Sequence, residues 1–147
     1  MANSQLHGIV LDLPEVVPSA TAAASALGLA ERCKALGGDF FTDVPEADIY
    51  LLKHILHDWN DGEAARILER CRQAMRPGGR IIVIEMLLGQ IGEPGLAPLI
   101  DLNMMVMLTG RERTLSEYRA LLKQAGFRLD TSSPIRSSMV VIEAVAA

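Results

Sequence analysis

Asp48-Ile49-Tyr50-Leu51-Leu52-Lys53-His54-Ile55-Leu56 and, a helix-length farther on, Arg80-Ile81-Ile82-Val83-Ile84-Glu85-Met86 frame the architecture of this chain. The first run is its clearest strand signal. Between the two, Ala64, Ile67, Leu68, Cys71 and Met75 recur at helical spacing, which leaves one apolar face to pack on a sheet. Asn60, with Glu63 three residues later, has the form of a capping box that opens this helix. Pro77-Gly78-Gly79 breaks it. The β-branched run over residues 80–86 is nearly continuous, as in a strand covered on both faces. Strand, helix and strand over residues 48–86 therefore make one right-handed crossover unit.

The flanking sequence keeps the same alternation, which predicts an α/β sandwich with a largely parallel sheet in a single domain over residues 1–147. Residues 8–13 read as a short buried strand stopped by Pro14. An alanine-rich helix follows over residues 17–29, with Gly28 near its end. A strand-like piece over residues 32–36 leads into the turn Gly37-Gly38-Asp39. Beyond Met86, residues 94–108 read as a methionine-rich helix. Thr114 with Glu117 makes a second capping box, for a helix that carries Leu115, Tyr118, Leu121, Leu122 and Ala125 and ends at Gly126. Residues 127–131 and 139–145 read as two closing strands.

Composition narrows the partners. The chain has 147 residues, half of them hydrophobic and 22% charged, so it is globular and long enough to bury a substantial core. A formal charge of −4 without a basic run or basic helix face recommends neither nucleic acid nor an anionic membrane. A small neutral or weakly charged ligand fits better. Cys33 and Cys71 lie far apart without metal-ligand spacing, and no positively charged leader precedes an apolar stretch, so a reducing cytoplasm is the default. The apolar runs are too short to span a membrane.

In open α/β sheets, ligands collect beyond the carboxyl ends of the strands. Asp12, Asp39, the pair His57 and Asp58, and Glu85 all fall at or near such ends, so they are expected on one rim. Residue type alone leaves each position open. Asp12 and Asp58 also suit helix caps, Asp39 suits an ordinary turn, and a methionine cluster is often core filler. His54 is three residues from His57 on an extended chain and should point to the opposite face, which weighs against a metal site made from His54, His57 and Asp58.

The stretch Leu52-Lys53-His54-Ile55-Leu56-His57-Asp58-Trp59-Asn60-Asp61 resembles the catalytic segment of plant-type and bacterial small-molecule O-methyltransferases. The resemblance implies a Rossmann-like methyltransferase sandwich. It also implies that His57 is the general base, which takes a proton from a hydroxyl of a small acceptor while S-adenosylmethionine gives up its methyl group. Asp12-Leu13-Pro14 is similar to the family segment that binds the cofactor ribose. Gly37-Gly38-Asp39-Phe40 is similar to the one that holds adenine, with Asp39 on the exocyclic amine and Phe40 over the ring. Lys53 matches a lysine that helps hold the cofactor. Glu85, in Val83-Ile84-Glu85, and Glu112, in Gly110-Arg111-Glu112-Arg113-Thr114, match two acidic residues that flank the catalytic histidine. Asp58, Met104, Met105 and Met107 would then face the acceptor. No metal belongs to this scheme.

One departure stands out. Family members open the cofactor domain with a strand and a glycine-rich loop ahead of the ribose-binding aspartate, whereas only eleven residues precede Asp12 and residues 1–7 contain no glycine. The chain is thus expected to lack that first strand and loop. Unpaired strand edges should follow, and with them assembly as a homo-oligomer or pairing with a complementary segment. Two alternatives remain at this level. One is a noncatalytic methyltransferase-like fragment that serves as an interaction module. The other is a nicotinamide-dependent oxidoreductase with Asp12 on the ribose, which needs a Gly-x-Gly-x-x-Gly loop that is also missing.

Overall fold

The computed structural model describes residues 3–89, 97, 99, 101, 110–135 and 139–147. The chain divides into two compact units, Met1–Pro45 and Glu46–Ala147.

The first unit contains strand β1 (Gly8–Asp12), helix α1 (Val17–Ala26) and strand β2 (Cys33–Gly37). Proline in the first turn of α1 loses nothing, because its missing N–H would have had no helical partner. β1 and β2 pair in parallel with Gly8 opposite Cys33 and Asp12 opposite Gly37, so both strands end on one side. The Asp-Leu-Pro and Gly-Gly turns meet there. Gly38 N donates to Asp12 O at 2.9 Å, and a Cβ on Gly38 would stand 2.9 Å from Leu11 Cδ1, so a larger residue there would make the Leu11 side chain shift. The expectation of a buried first strand is corrected: Ile9 and Val10 are 49% and 41% exposed. A parallel strand is buried when both faces are covered. Within this unit the described residues supply one helix, and it buries none of its own residues.

The second unit holds β3 (Ala47–Lys53), a 3-10 turn (Leu56–Asp58), α2 (Asp61–Ala74), β4 (Met75–Met86), α3 (Leu115–Gln124), β5 (Phe127–Pro134) and β6 (Met139–Ala146). Its sheet runs β3-β4-β6-β5. β3 and β4 are parallel across α2, which is the crossover unit expected from residues 48–86, and the closing strand β6 lies antiparallel to both β4 and β5. Both capping boxes form. Asn60 Oδ1 accepts from Glu63 N at 3.0 Å at the start of α2, and Thr114 Oγ1 accepts from Glu117 N at 3.3 Å at the start of α3. Ile67 and Leu68 of α2 are fully buried with Ile81 and Val83 of β4 and Leu122 of α3. Each such side chain contributes about 1.5–3 kcal/mol of burial.

Three boundaries differ from expectation. β3 stops at Lys53 rather than at Leu56, because His54 takes a left-handed φ of 52° and turns the chain. β4 starts at Met75, so Pro77-Gly78-Gly79 is an irregularity inside the strand rather than a break before it. The register shifts between Ala47 and Ile49, Gly78 sits at φ 80°, and a Cβ on Gly79 would stand 2.8 Å from Asp48 O. β5 runs on to Pro134 through a second register shift, between Leu129 and Thr131. On β4, Ile81, Val83 and Glu85 are buried while Ile82 and Ile84 are half-buried, so one face is fully covered and the other partly. Apart from helical positions 97, 99 and 101, the helix expected over residues 94–108 lies outside the described residues. No helix among the described residues is long and apolar enough to cross a membrane.

Candidate active site

The end of β3 is where the second unit gathers its charged groups. After His54 the chain winds into the short turn Leu56–Asp58, whose own backbone bonds are Asp58 N to Ile55 O at 3.2 Å and Trp59 N to Leu56 O at 3.4 Å. Glu85, at the end of the neighbouring strand, adds to these. Its carboxylate is fully buried, and Oε1 accepts from Ile55 N at 3.1 Å and Leu56 N at 3.0 Å. Burial pushes the Glu85 acid up to about 7, against the opposing pull of His57 and of these two N–H groups.

His57 is buried on this turn. Its Nδ1 lies 2.8 Å from Glu112 Oε1, and its Nε2 lies 3.4 Å from Asp58 Oδ1. The hydrogen bond to Glu112 raises the imidazole above its ordinary value of 6.5; burial opposes this, and the charges of Glu85, Glu112 and Asp58 add to it. A carboxylate on Nδ1 keeps the proton of the neutral ring there and leaves the Nε2 lone pair as the basic site. Glu112 is itself fixed, since its backbone N donates to Asp101 Oδ1 at 2.8 Å. The segment that carries it is anchored to the end of β4 by a bridge between Leu87 and Arg113 and by Leu88 N donating to Arg113 O at 3.0 Å. Gly110 opens this segment. A Cβ there would overlap the carbonyl oxygen of His57 and the carbonyl carbon of Asp58, so the two backbones touch.

The structure thus joins His57, Asp58, Glu85 and Glu112, but gives the two glutamates different tasks: Glu112 meets the imidazole, and Glu85 meets the backbone. The expectation for His54 is corrected. Its ring centroid is 5.2 Å from that of His57, and its Nδ1 is 3.8 Å from Glu85 Oε2. Alternation of faces holds only on an extended chain, and this chain is not extended beyond Lys53. Donor atoms of His54, His57 and Glu85 lie within 4.8 Å of one another. That is a looser set than the roughly 3.3 Å between donors held at about 2.0 Å around one tetrahedral zinc. Asp58 is not the cap of α2, because Asn60 is.

Lys53 is exposed as the last residue of β3. Within the first unit, Asp12 and Leu13 are exposed beyond β1, with Leu13 N donating to Asp12 Oδ1 at 2.8 Å. Asp39 stabilises its own turn, with Oδ1 accepting from Phe41 N at 2.8 Å, and Phe40 is half-buried beside Phe41. Met104, Met105 and Met107 lie outside the described residues. Sequence reasoning passed over Asp101, Gly110 and Arg113. The last two sit in the same five-residue segment as Glu112, and a glycine and an arginine either side of a site carboxylate were the available signal.

A crossover-built α/β domain with an imidazole–carboxylate pair at its strand ends has a Rossmann-like architecture. More narrowly, the chain belongs to the O-methyltransferase domain family, which it matches over residues 2–128. It is 37% identical over 141 residues to a phenazine O-methyltransferase of Lysobacter antibioticus, covering 95% of this chain and 41% of that protein. With the mitomycin biosynthesis 6-O-methyltransferase of Streptomyces lavendulae it shares 42% identity over 139 residues, 93% of this chain and 39% of the other. An O-methyltransferase from neocarzinostatin biosynthesis, solved with S-adenosylmethionine and 2-hydroxy-5-methyl naphthoic acid, superposes with a TM-score of 0.89 at 35% identity, covering 99% of this chain and 43% of that one. The chain therefore has the Rossmann-like methyltransferase fold, and it spans about two fifths of the length of the relatives it matches. Membership of this family sets the nicotinamide alternative aside.

Proposed function

We propose that the protein carrying this chain transfers a methyl group from S-adenosylmethionine to a hydroxyl of a small aromatic metabolite, with His57 as general base. The observation that carries this reading is the buried imidazole of His57 with Nδ1 on Glu112. The relatives add to it, because one is named a phenazine O-methyltransferase and another a mitomycin biosynthesis 6-O-methyltransferase, and a related structure holds a hydroxylated naphthoic acid.

The chain's own residues suit such a cofactor. Asp12 presents an exposed carboxylate at the shared carboxyl end of a parallel strand pair, and a carboxylate can accept from both hydroxyls of a ribose diol. Asp39 and Phe40 follow β2 at that same end, where an amine and a flat ring would find an acceptor and an apolar face. Lys53, in the second unit, offers an exposed cation at the end of β3. When bound, the sulfonium supplies an electrophilic methyl and leaves as a neutral thioether.

The protein's work is then to place the acceptor oxygen and remove its proton. A phenol with a solution pKa of about 10 stays protonated near neutral pH, while an imidazole remains largely able to accept. As the acceptor oxygen forms its bond to carbon, its proton passes to His57 Nε2. Glu112 stabilises the resulting imidazolium through Nδ1, and Asp58, 3.4 Å from Nε2, adds negative charge on the receiving side. Met104, Met105 and Met107 would line the acceptor side. The work is done in the cytoplasm on soluble substrates. Methyl transfer from labelled S-adenosylmethionine to a panel of phenols, hydroxyphenazines and hydroxynaphthoic acids by the full-length protein tests this. Transfer to amines or thiols alone would overturn it.

A further inference from the structure

We propose that Arg113 is a positioning residue for the base: its guanidinium holds the His57 turn by the two carbonyls that bracket it, and so sets where the imidazole points. The proposal rests on His57 being the base.

Arg113 is fully buried, and its guanidinium makes four hydrogen bonds and an ion pair. Nη1 donates to Leu56 O at 2.8 Å and to Arg111 O at 3.4 Å. Nη2 donates to Trp59 O at 2.8 Å and lies 2.8 Å from Asp61 Oδ1, while Nε donates to the same oxygen at 2.9 Å. Leu56 and Trp59 stand immediately before and after the pair His57 and Asp58, so the fork fixes the backbone on both sides of the base. A buried cation is costly unless paired, and Asp61 supplies the counter-charge from the first turn of α2.

Glu85 completes the arrangement from the opposite direction. It takes the N–H groups of Ile55 and Leu56 at the start of the turn, whereas Arg113 takes the carbonyls of Leu56 and Trp59. A carboxyl group on the donors and a cation on the acceptors add four bonds to the turn, the two from Arg113 charge-assisted. Glu112 and Arg113 are adjacent. One therefore orients the imidazole ring and the other its backbone, so loosening Arg113 lets His57 drift away from the Glu112 carboxylate.

The test is a nitrogen-detected NMR titration of the three histidines in this chain, with His57 assigned by its loss in His57→Asn. Arg113→Lys keeps the charge but offers a point cation in place of a planar fork. The wild-type ring should show the Nδ1–H tautomer and titrate above 6.5. In Arg113→Lys the tautomers should mix and the midpoint fall toward 6.5. Should that variant fail to fold, Asp61→Ala removes the fork's outer anchor from an exposed position and should shift both readouts the same way. An unchanged tautomer and midpoint in the folded variant overturns the proposal. The readout needs no turnover, so it is separate from the base assignment, which would fail instead if His57→Ala left methyl transfer intact.

Discussion

His57 Nδ1 and Glu112 Oε1 lie 2.8 Å apart across 55 positions of sequence, brought together by a segment anchored at the end of β4. That pairing makes the basicity of the imidazole depend on a carboxylate that donates nothing to the reaction itself.

Turnover should therefore rise with pH through a midpoint above 6.5, since the imidazole must be neutral to accept a proton and Glu112 favours its charged form. Glu112→Gln keeps an acceptor at Nδ1 but removes the charge. Its pH-rate midpoint should drop toward 6.5 and kcat should fall about 10²-fold. A profile identical to wild type would show that Glu112 does not tune the base.

Stability carries a signature of Glu85. Its acid is raised from 4.5 to about 7 in the folded chain, so the unfolded chain releases that proton first and stability declines as pH rises from about 4.5 to about 7. His57, raised above 6.5, acts in the same sense: its contribution is full below 6.5 and is lost as pH climbs through the raised value. Glu85→Gln retains the Oε1 acceptor for Ile55 and Leu56. It should match wild type near pH 4.5 and exceed it at pH 8.5 by on the order of 2 kcal/mol in urea unfolding. Equal pH dependence in the two proteins would refute the buried-acid assignment.

Gly110→Ala should be costly. The new methyl would meet backbone atoms of His57 and Asp58, which cannot rotate away, and overpacking of this kind costs roughly 1–3 kcal/mol or more. Thermal unfolding measures it. A melting temperature within a degree of wild type would mean that the two segments separate freely.

Much of this was legible in the residues. The crossover unit announced itself through helical spacing from Ala64 to Met75 between two apolar runs, and both capping boxes formed where serially placed polar groups implied them. Strand ends placed His57 on the rim, but its pairing with Glu112 was readable only through a resemblance, because nothing local links positions 55 apart. His54 was misplaced because periodicity assumes an extended chain, and its left-handed φ of 52° ends that extension. Arg113 escaped notice for a related reason. An arginine reads as a surface residue until a carboxylate and two free carbonyls are brought around it.

Assembly is a further expected property. Among the described residues β1 pairs with β2 alone and β3 with β4 alone, and Ile9, Val10, Ile49 and Leu51 are exposed. Open edges with apolar faces favour pairing with another strand. Sedimentation of this chain at micromolar concentration should show dimers or larger species. A stable monomer would count against that expectation.

The base assignment meets its most direct test in the full-length protein, by measuring methyl transfer and S-adenosylmethionine affinity side by side for His57→Ala and His57→Gln. The expected result is loss of turnover by 10²-fold or more, about the contribution of general base catalysis, with cofactor affinity nearly unchanged. Wild-type turnover in either variant would contradict it.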